Sequence, residues 1–143
     1  MTLGELFDDA RARIERLEPA DAHAAADAGA LIVDIRSETS RERDGIVPGS
    51  LHVPRTVLEW RCEPGGRWRN PHLGDVERRV IVLCDQGYSS VFAAAMLTQL
   101  GYPRASDVVC GFEAWRGAGL PVVASPGGHD GELPGMGDPD RSS

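Results

Sequence analysis

The sequence predicts an α/β fold in which helices cover both faces of a central parallel sheet. Two observations indicate this fold. Residues 80–83, and residues 31–35 apart from Asp34, are apolar instead of alternating with polar residues, which is typical of strands buried on both faces. Helix-like segments separate these runs, and such alternation favours parallel strands joined by helical crossovers. A chain of 143 residues is long enough for one such domain and one core.

The first third of the chain is predicted to form two helices and a strand. Apolar residues recur at helical spacing over residues 3–17, and Pro19 ends this helix. They are Leu3, Leu6, Phe7, Ala10, Ile14 and Leu17. A second helix is predicted over 21–28, and the buried strand 31–35 follows. We therefore assign residues 1–16 to an N-terminal helical extension.

The middle of the chain alternates between strands and irregular sequence. Residues 51–53 have the composition of a short strand, which Pro54 stops. The segment 55–75 is rich in glycine and proline and is predicted to be a long loop with one helical turn at 56–60. The apolar run 80–83 is the second buried strand.

The last third of the domain repeats the strand and helix pattern. Ser89 or Ser90 is the expected N-cap of a helix over 91–100, which is apolar nearly all round and therefore buried. A third strand at 108–109 and a helix over 112–118 follow. These elements place the boundaries of the α/β domain at residues 17–123.

The C-terminal segment 124–143 differs in composition from the rest of the chain. Eight of its 20 residues are glycine or proline, and few are apolar. Such a sequence buries too little apolar surface to offset the entropy of folding, so a disordered tail is predicted.

Composition excludes several functional classes. The net charge is −7 and no basic cluster is present, which argues against a nucleic-acid partner. No apolar run is long enough to cross a membrane, and the N-terminus lacks the apolar core of a signal peptide, so a cytoplasmic location is expected. All 15 basic residues are arginines, which rules out chemistry that needs a lysine, such as Schiff-base formation.

The cysteines and histidines indicate neither a disulfide framework nor a metal site. Cys62, Cys84 and Cys110 are odd in number and widely spaced. The four histidines form no pair at helical spacing. One functional thiol in a reducing compartment is the simplest interpretation, and no metal is expected.

Cys84 lies where a reactive thiol would be expected. It follows the buried strand 80–83, and a short polar loop joins it to the next helix. Ligands of parallel sheets bind at the carboxyl ends of strands, and a helix N-terminus favours a negative charge such as a thiolate. Gly87 lets the loop curl so that its amides point inward as an anion nest. The alternative is a buried core cysteine without a function, which the strand–loop–helix context disfavours.

Three motifs in order resemble the rhodanese family over about residues 17–123. The first combines Asp-Ile-Arg at 34–36 with Gly-Ile-Val-Pro-Gly-Ser-Leu-His-Val-Pro at 45–54. The second, Cys-Asp-Gln-Gly-Tyr-Ser at 84–89, is similar to the six-residue active-site loop of the family. The third is Gly-Phe-Glu-Ala-Trp at 111–115 followed by Gly-Leu-Pro-Val at 119–122.

The resemblance implies a rhodanese-like fold and a sulfurtransferase that uses Cys84 as its nucleophile. Cys84 would take sulfane sulfur from a small donor such as thiosulfate or a persulfide, and pass it from a Cys84 persulfide to a thiol or cyanide. No metal or organic cofactor is implied, and a protein partner is a further candidate acceptor. The loop that would bind substrate and persulfide comprises Asp85, Gln86, Gly87, Tyr88, Ser89 and Ser90.

The sequence departs from the family pattern at three positions. Ile46 stands for the usual histidine, Cys110 for the first glycine of the closing pair, and Ser89 where many members have arginine. Asp85 directly follows the nucleophile and would repel a dianionic donor, which predicts weak activity with thiosulfate.

Other side chains receive weaker predictions. Asp34 and Arg36 are expected to stabilise the fold as a pair, and His52 and Trp115 to be structural. Cys62 and Cys110 are candidate resolving thiols. The candidate pocket rim comprises Arg36, Arg55 and Arg61, and a solvated loop face is an equal alternative for the last two.

Three rival functions remain open. A phosphatase or arsenate reductase on the same fold would need an arginine that clamps an oxyanion, and the cysteine loop contains none. The others are a non-catalytic binding module and a partner-dependent sulfur carrier that docks another protein through residues 55–75.

Overall fold

Five parallel strands form the sheet at the centre of the computed structural model, which describes residues 1–126. Their order across the sheet is β1-β5-β4-β2-β3, and every pairing of these strands is parallel. The strands are β1 Glu15–Leu17, β2 Leu31–Asp34, β3 Leu51–His52, β4 Val80–Leu83 and β5 Ser106–Val108. The predicted α/β class is confirmed.

Helices pack on both faces of this sheet. They are α1 Leu3–Ala12, α2 Pro19–Asp27, α3 Glu38–Asp44, α4 Leu58–Cys62 (preceded by a 3-10 turn at Arg55–Val57), α5 Ser89–Gln99 and α6 Gly111–Gly117. Side chains of α4 and α5 meet one face of β2 and β4, and side chains of α2 and α6 meet the other. The strands are therefore buried on both sides, as their largely apolar sequences predict.

Helix α1 covers α5 and is shorter than predicted. It ends at Ala12, and Ala10 packs against Val91 and Ala95 of α5. The prediction that the helix continues to Leu17 is wrong, because Glu15–Leu17 forms the edge strand β1 beside β5. A three-residue strand is too short to interrupt a helical pattern, and only its pairing with β5 identifies it.

Two further elements differ from the sequence-based expectation. Helix α3 lies in the polar stretch after β2, which was not predicted to be helical, and Ser37 caps it by accepting a hydrogen bond from the amide of Ser40. Strand β5 begins at Ser106 instead of residue 108, so it includes Asp107. An acidic residue inside a buried strand conceals that strand from a search for apolar runs.

The described residues contain no candidate membrane-spanning helix, and they end without regular secondary structure. No helix within residues 1–126 combines the length and apolarity that crossing a bilayer requires. Residues 124–126 form neither helix nor strand. The rest of the predicted tail, 127–143, lies outside the described residues.

Candidate active site

Cys84 lies at the carboxyl end of β4, where the chain turns into α5. Its side chain is buried, with 6% of its surface exposed. The amide of Gly87 donates a hydrogen bond to Cys84 Sγ over 3.1 Å. Gly87 has a φ of +84°, and a Cβ at this position would lie 2.6 Å from the backbone nitrogen of Cys110. The loop can therefore hold its amide on the sulfur only if residue 87 is glycine.

The carbonyl groups of the loop are bound from outside. The amide of Phe112 donates to the carbonyl of Cys84 over 2.8 Å, and the amide of Glu113 donates to the carbonyl of Asp85 over 3.1 Å. The guanidinium of Arg16 donates to the carbonyl of Gly87 over 2.9 Å. With these carbonyls held away from the sulfur, the loop has the orientation of an anion nest.

A buried hydrogen-bonded chain joins the sulfur to β5 and β1. Cys84 Sγ lies 3.2 Å from Ser90 Oγ, and Ser90 Oγ donates to Asp107 Oδ2 over 2.8 Å. Arg16 then binds both oxygens of Asp107, through Nε at 2.9 Å and Nη2 at 3.0 Å. We call Cys84, Ser90, Asp107 and Arg16 the nucleophile cluster.

The charges of the nucleophile cluster compensate each other. The pKa of Arg16 is raised above its ordinary value, chiefly because its guanidinium binds Asp107, while burial opposes this rise. Asp107 is fully buried, so a carboxylate here requires the bidentate guanidinium. Neither Arg16 nor Asp107 was singled out from the sequence. The one available signal was an acidic residue beside an apolar run close to Cys110.

The predicted loop residues surround a cavity of about 330 Å³ at Cys84. Asp85, Gln86 and Tyr88 line it and are exposed at its mouth. Its full lining is Ile35, Arg36, Ser37, Cys84, Asp85, Gln86, Tyr88 and Ser89. A second cavity of about 480 Å³ shares Asp85 and Gln86 and extends to Arg43 and Arg116. The nucleophile is thus reached from solvent through a polar entrance.

The two serines after the loop have different positions from those expected. Helix α5 begins at Ser89, its N-cap is Tyr88, and no side chain caps it. The expectation that Ser89 or Ser90 caps the helix is therefore wrong. Ser89 faces the cavity, whereas Ser90 is fully buried and contacts the sulfur of Cys84. Ser90 is the second residue of α5, and its hydroxyl points toward the end of β4.

The three candidate rim arginines do not meet at the cavity. Arg36 contributes to its lining, but the Arg36 side chain is buried, and its guanidinium binds Asp34 and the carbonyl of Gly45. Arg55 pairs with Glu59 over 2.8 Å. Arg61 is buried in α4, where it donates to the carbonyl of Trp68. The structure therefore does not bring Arg55 or Arg61 to the mouth of the Cys84 cavity.

A second buried ionic group lies at the same edge of the sheet. Asp34 binds the side chain of Arg36, with its Oδ2 2.9 Å from Arg36 Nη2, and lies 3.4 Å from Arg41. His52 Nε2 is 2.8 Å from the carbonyl of Arg36. We call Asp34, Arg36, Arg41 and His52 the scaffold cluster. It matches the expected fold-stabilising pair, and Trp115 is likewise in the core.

The other two cysteines lie in contrasting environments. Cys62 is buried in α4, and burial raises its pKa to about 12, which disfavours the thiolate that a resolving thiol would need. Cys110 is exposed and lines a cavity of about 440 Å³ with Gln86 and Tyr88. Of the two candidate resolving thiols, the structure places only Cys110 beside the active-site loop.

Comparison with models of protein families shows to which family this chain belongs. The model of the rhodanese-like domain matches residues 18–118. The chain belongs to the rhodanese family. The named relatives support a rhodanese-type enzyme.

Named relatives and solved structures extend the comparison. A protein of Stutzerimonas stutzeri named thiosulfate sulfurtransferase GlpE is 35% identical over 102 residues, which are 71% of this chain and 84% of that protein. A sulfurtransferase of Allochromatium vinosum is 32% identical over 97 residues, covering 68% and 81% of the two chains. A structure from Rhodopseudomonas palustris is 32% identical with a TM-score of 0.79, over 86% of this chain and 95% of that one. It is described as a protein of unknown function and possible tyrosine phosphatase.

Proposed function

We propose that this enzyme transfers sulfane sulfur through a persulfide on Cys84. In the first step the Cys84 thiolate attacks the outer sulfur of a donor. A new S–S bond forms, the donor's own bond to that sulfur breaks, and the leaving sulfite or thiolate keeps the electron pair. In the second step a thiol or cyanide attacks the outer sulfur of the persulfide, and Cys84 leaves as a thiolate.

One observation carries the proposal: the Cys84 sulfur sits in a curled loop, bound by the Gly87 amide at 3.1 Å and next to the Ser90 hydroxyl at 3.2 Å. Both groups can donate to an anionic sulfur: the amide already points at it, and the hydroxyl oxygen is within hydrogen-bond distance before the reaction. Donors preorganised toward a developing negative charge are the usual source of catalytic stabilisation. The cavity of about 330 Å³ has room for a small donor.

The named relatives support the same reaction class. Those from Stutzerimonas and Allochromatium are named as sulfurtransferases, the first of them for thiosulfate. Thiosulfate itself is a dianion, and the exposed Asp85 lines the cavity in which it would bind. We therefore propose an uncharged or singly charged persulfide as the better donor, and a small thiol, cyanide or a protein thiol as acceptor.

A phosphatase is the second candidate, because of the description given to the Rhodopseudomonas structure. Phosphoryl transfer needs cations that clamp the equatorial oxygens. The loop from Cys84 to Ser90 contains no arginine. The guanidinium of Arg16 is engaged by Asp107 and by the carbonyl of Gly87 on the outside of the loop. That of Arg36, which lines the cavity, is engaged by Asp34 and the carbonyl of Gly45. These contacts favour sulfur transfer over phosphate ester hydrolysis.

We further propose that the enzyme works in the reducing cytoplasm. All three cysteines are free, and an exposed thiol such as that of Cys110 would not stay reduced in an oxidising compartment. Cell fractionation with an antibody against the chain tests this location, and recovery in an oxidising compartment would contradict it.

Intact mass spectrometry tests the reaction. The protein is incubated with thiosulfate, 3-mercaptopyruvate or a small persulfide, and phosphate ester hydrolysis is measured in parallel. We expect one added sulfur atom on the wild type and on Cys110→Ser, and none on Cys84→Ser. Sulfur uptake by Cys84→Ser would show that Cys84 is not the nucleophile. Phosphate release without sulfur uptake would contradict sulfur transfer and support the phosphatase function instead.

A further inference from the structure

The hydroxyl of Ser90 lies between two groups that compete for its single hydrogen. Ser90 Oγ is 2.8 Å from Asp107 Oδ2 and 3.2 Å from Cys84 Sγ. A carboxylate only accepts hydrogen bonds, so the Ser90 hydrogen points to Asp107. The contact with sulfur then requires the thiol of Cys84 to donate its own hydrogen to Ser90. This arrangement of donors and acceptors is the one that a Cys84 thiol satisfies.

Loss of the Cys84 proton makes this arrangement unfavourable. A thiolate or persulfide would face a lone pair of Ser90 instead of a donor, in a site where Ser90 and Asp107 are fully buried. The hydroxyl can correct this by turning its hydrogen to the sulfur. Asp107 then keeps both Arg16 contacts, at 2.9 and 3.0 Å. The turn therefore leaves no buried carboxylate without a partner.

We propose that the Ser90 hydroxyl alternates between Asp107 and the sulfur of Cys84, and that Asp107, held by Arg16, is the positioning residue that sets this balance. Asp107 binds the hydrogen while Cys84 is a thiol, and releases it when a thiolate or persulfide forms. The thiolate part of this proposal is independent of the sulfur chemistry, and the persulfide part rests on the proposed function.

Arg16 connects both hydrogen bonds of the sulfur to the same guanidinium. Its Nη2 binds Asp107 on one side and the carbonyl of Gly87 on the other. The Gly87 amide binds Cys84 Sγ. Strand β1 thereby holds the loop donor and the hydroxyl donor together, although Arg16 itself makes no hydrogen bond with the sulfur in the described residues. A positioning role of this kind predicts a change in thiol reactivity, which a purely structural ion pair would not cause.

The test measures how the alkylation rate of Cys84 by iodoacetamide depends on pH, read on the Cys84 peptide by mass spectrometry. In Asp107→Asn the side-chain oxygen still accepts from Arg16 Nε, and the amide nitrogen takes the place of Oδ2 and donates to Ser90 Oγ. Arg16 Nη2 loses its contact with residue 107 but keeps the carbonyl of Gly87. Ser90 then keeps its hydrogen for the sulfur. We expect the pH of half-maximal alkylation to fall by about one unit, a tenfold change in the proton equilibrium.

A matched background separates the hydroxyl from the charge of Asp107. In Ser90→Ala no hydroxyl can turn, so adding Asp107→Asn should shift the half-maximal pH by less than half as much. An unchanged or higher half-maximal pH in Asp107→Asn would overturn the proposal. An equal shift in both backgrounds would also overturn it, because charge alone would then explain the effect.

A second variant covers the case in which Asp107→Asn does not fold. The double substitution Arg16→Met with Asp107→Leu replaces this ion pair by apolar side chains of similar volume, which is often tolerated. It leaves the Ser90 hydroxyl free for the sulfur, so adding Ser90→Ala to it should raise the half-maximal pH more than adding Ser90→Ala to the wild type. An equal effect of Ser90→Ala in the two backgrounds would overturn the proposal. Because alkylation needs no sulfur donor, a failure of sulfur uptake with the pH shift intact would count against the proposed function alone.

Discussion

The nucleophile cluster and the scaffold cluster each contain an ion pair with a fully buried carboxylate, at the carboxyl edge of one sheet. In the nucleophile cluster, Arg16 and Asp107 are joined to the reactive sulfur by the hydroxyl of Ser90. In the scaffold cluster, Arg36 binds Asp34 and a backbone carbonyl, and its guanidinium lies 3.8 Å from the ring centre of Phe112. The difference teaches that burial of charge does not indicate a catalytic role by itself. The two clusters differ in that, within the described residues, only the first is hydrogen-bonded to Cys84, the proposed nucleophile.

Removing the acid of the scaffold cluster should cause the largest change. Asp34→Ala leaves two buried guanidinium groups, Arg36 and Arg41, without their partner. We expect the free energy of unfolding to fall by about 3–5 kcal/mol, measured by urea denaturation. Asp8→Ala, which removes an exposed partner of Arg11, is the control and should change little. Equal stability of Asp34→Ala and wild type would break the comparison, since the scaffold cluster would then stabilise nothing.

A backbone change in the loop should affect activity far more than stability. Gly87→Ala adds a Cβ that would lie 2.6 Å from the nitrogen of Cys110, at a positive φ. The loop must shift and take its amide off the sulfur, so we expect turnover to fall roughly a hundredfold. Gly49→Ala is the matched control, because φ is +78° there and no atom lies within 4 Å of the new Cβ. Steady-state kinetics decides, and a Gly87→Ala enzyme within threefold of wild type would exclude a role for that amide.

Cys62 provides a buried thiol that belongs to neither cluster. Burial raises its pKa to about 12, and burial likewise raises the pKa of Tyr102 to about 12. Both groups bind their protons more tightly in the folded than in the unfolded chain. Their contribution to stability is therefore complete below about pH 9 and is lost as the pH rises toward 12.

The free energy of unfolding, measured between about pH 8 and pH 12, tests this expectation. This range extends roughly from the ordinary pKa of a cysteine thiol to the raised pKa values of the two buried groups. Cys62→Ala should be less stable at neutral pH but should lose less stability on going to alkaline pH. Tyr102→Phe should show the same reduced alkaline loss. Identical pH dependence in all three proteins would mean that these buried groups do not control alkaline unfolding.

The smallest expected effect concerns the charge at the cavity mouth. Asp85 is exposed, accepts a hydrogen bond from Ser40 over 3.4 Å and lies near Arg43, so solvent and this arginine weaken its repulsion of a dianion. We expect Asp85→Asn to lower the apparent KM for thiosulfate by about two- to threefold at low salt and less at high salt. Asp27→Asn, on α2, is the control for a change in net charge. An unchanged KM at low salt would remove Asp85 from donor selection.

Much of the fold and the position of the nucleophile could be predicted because the signals are local. An apolar run followed by Cys84, a glycine-containing loop and an apolar helix defines a strand, a turn and a helix within about 20 residues of sequence. The parallel sheet follows from two such runs separated by helices. The three motifs at 34–54, 84–89 and 111–122 then indicate the family.

The supporting residues of the nucleophile could not be predicted in this way. Arg16 and Asp107 are 91 residues apart, and they meet only because β1 pairs with β5 and β5 with β4. Hydrophobic periodicity describes one segment at a time and contains no information about which strands become neighbours. Arg36 is the local case, because its contact with Asp34, two residues away, was predicted from the sequence and is observed. The sequence by itself indicated Cys84 and its loop as the candidate site. The tertiary structure decided which charges reach them, because that depends on the order of the strands.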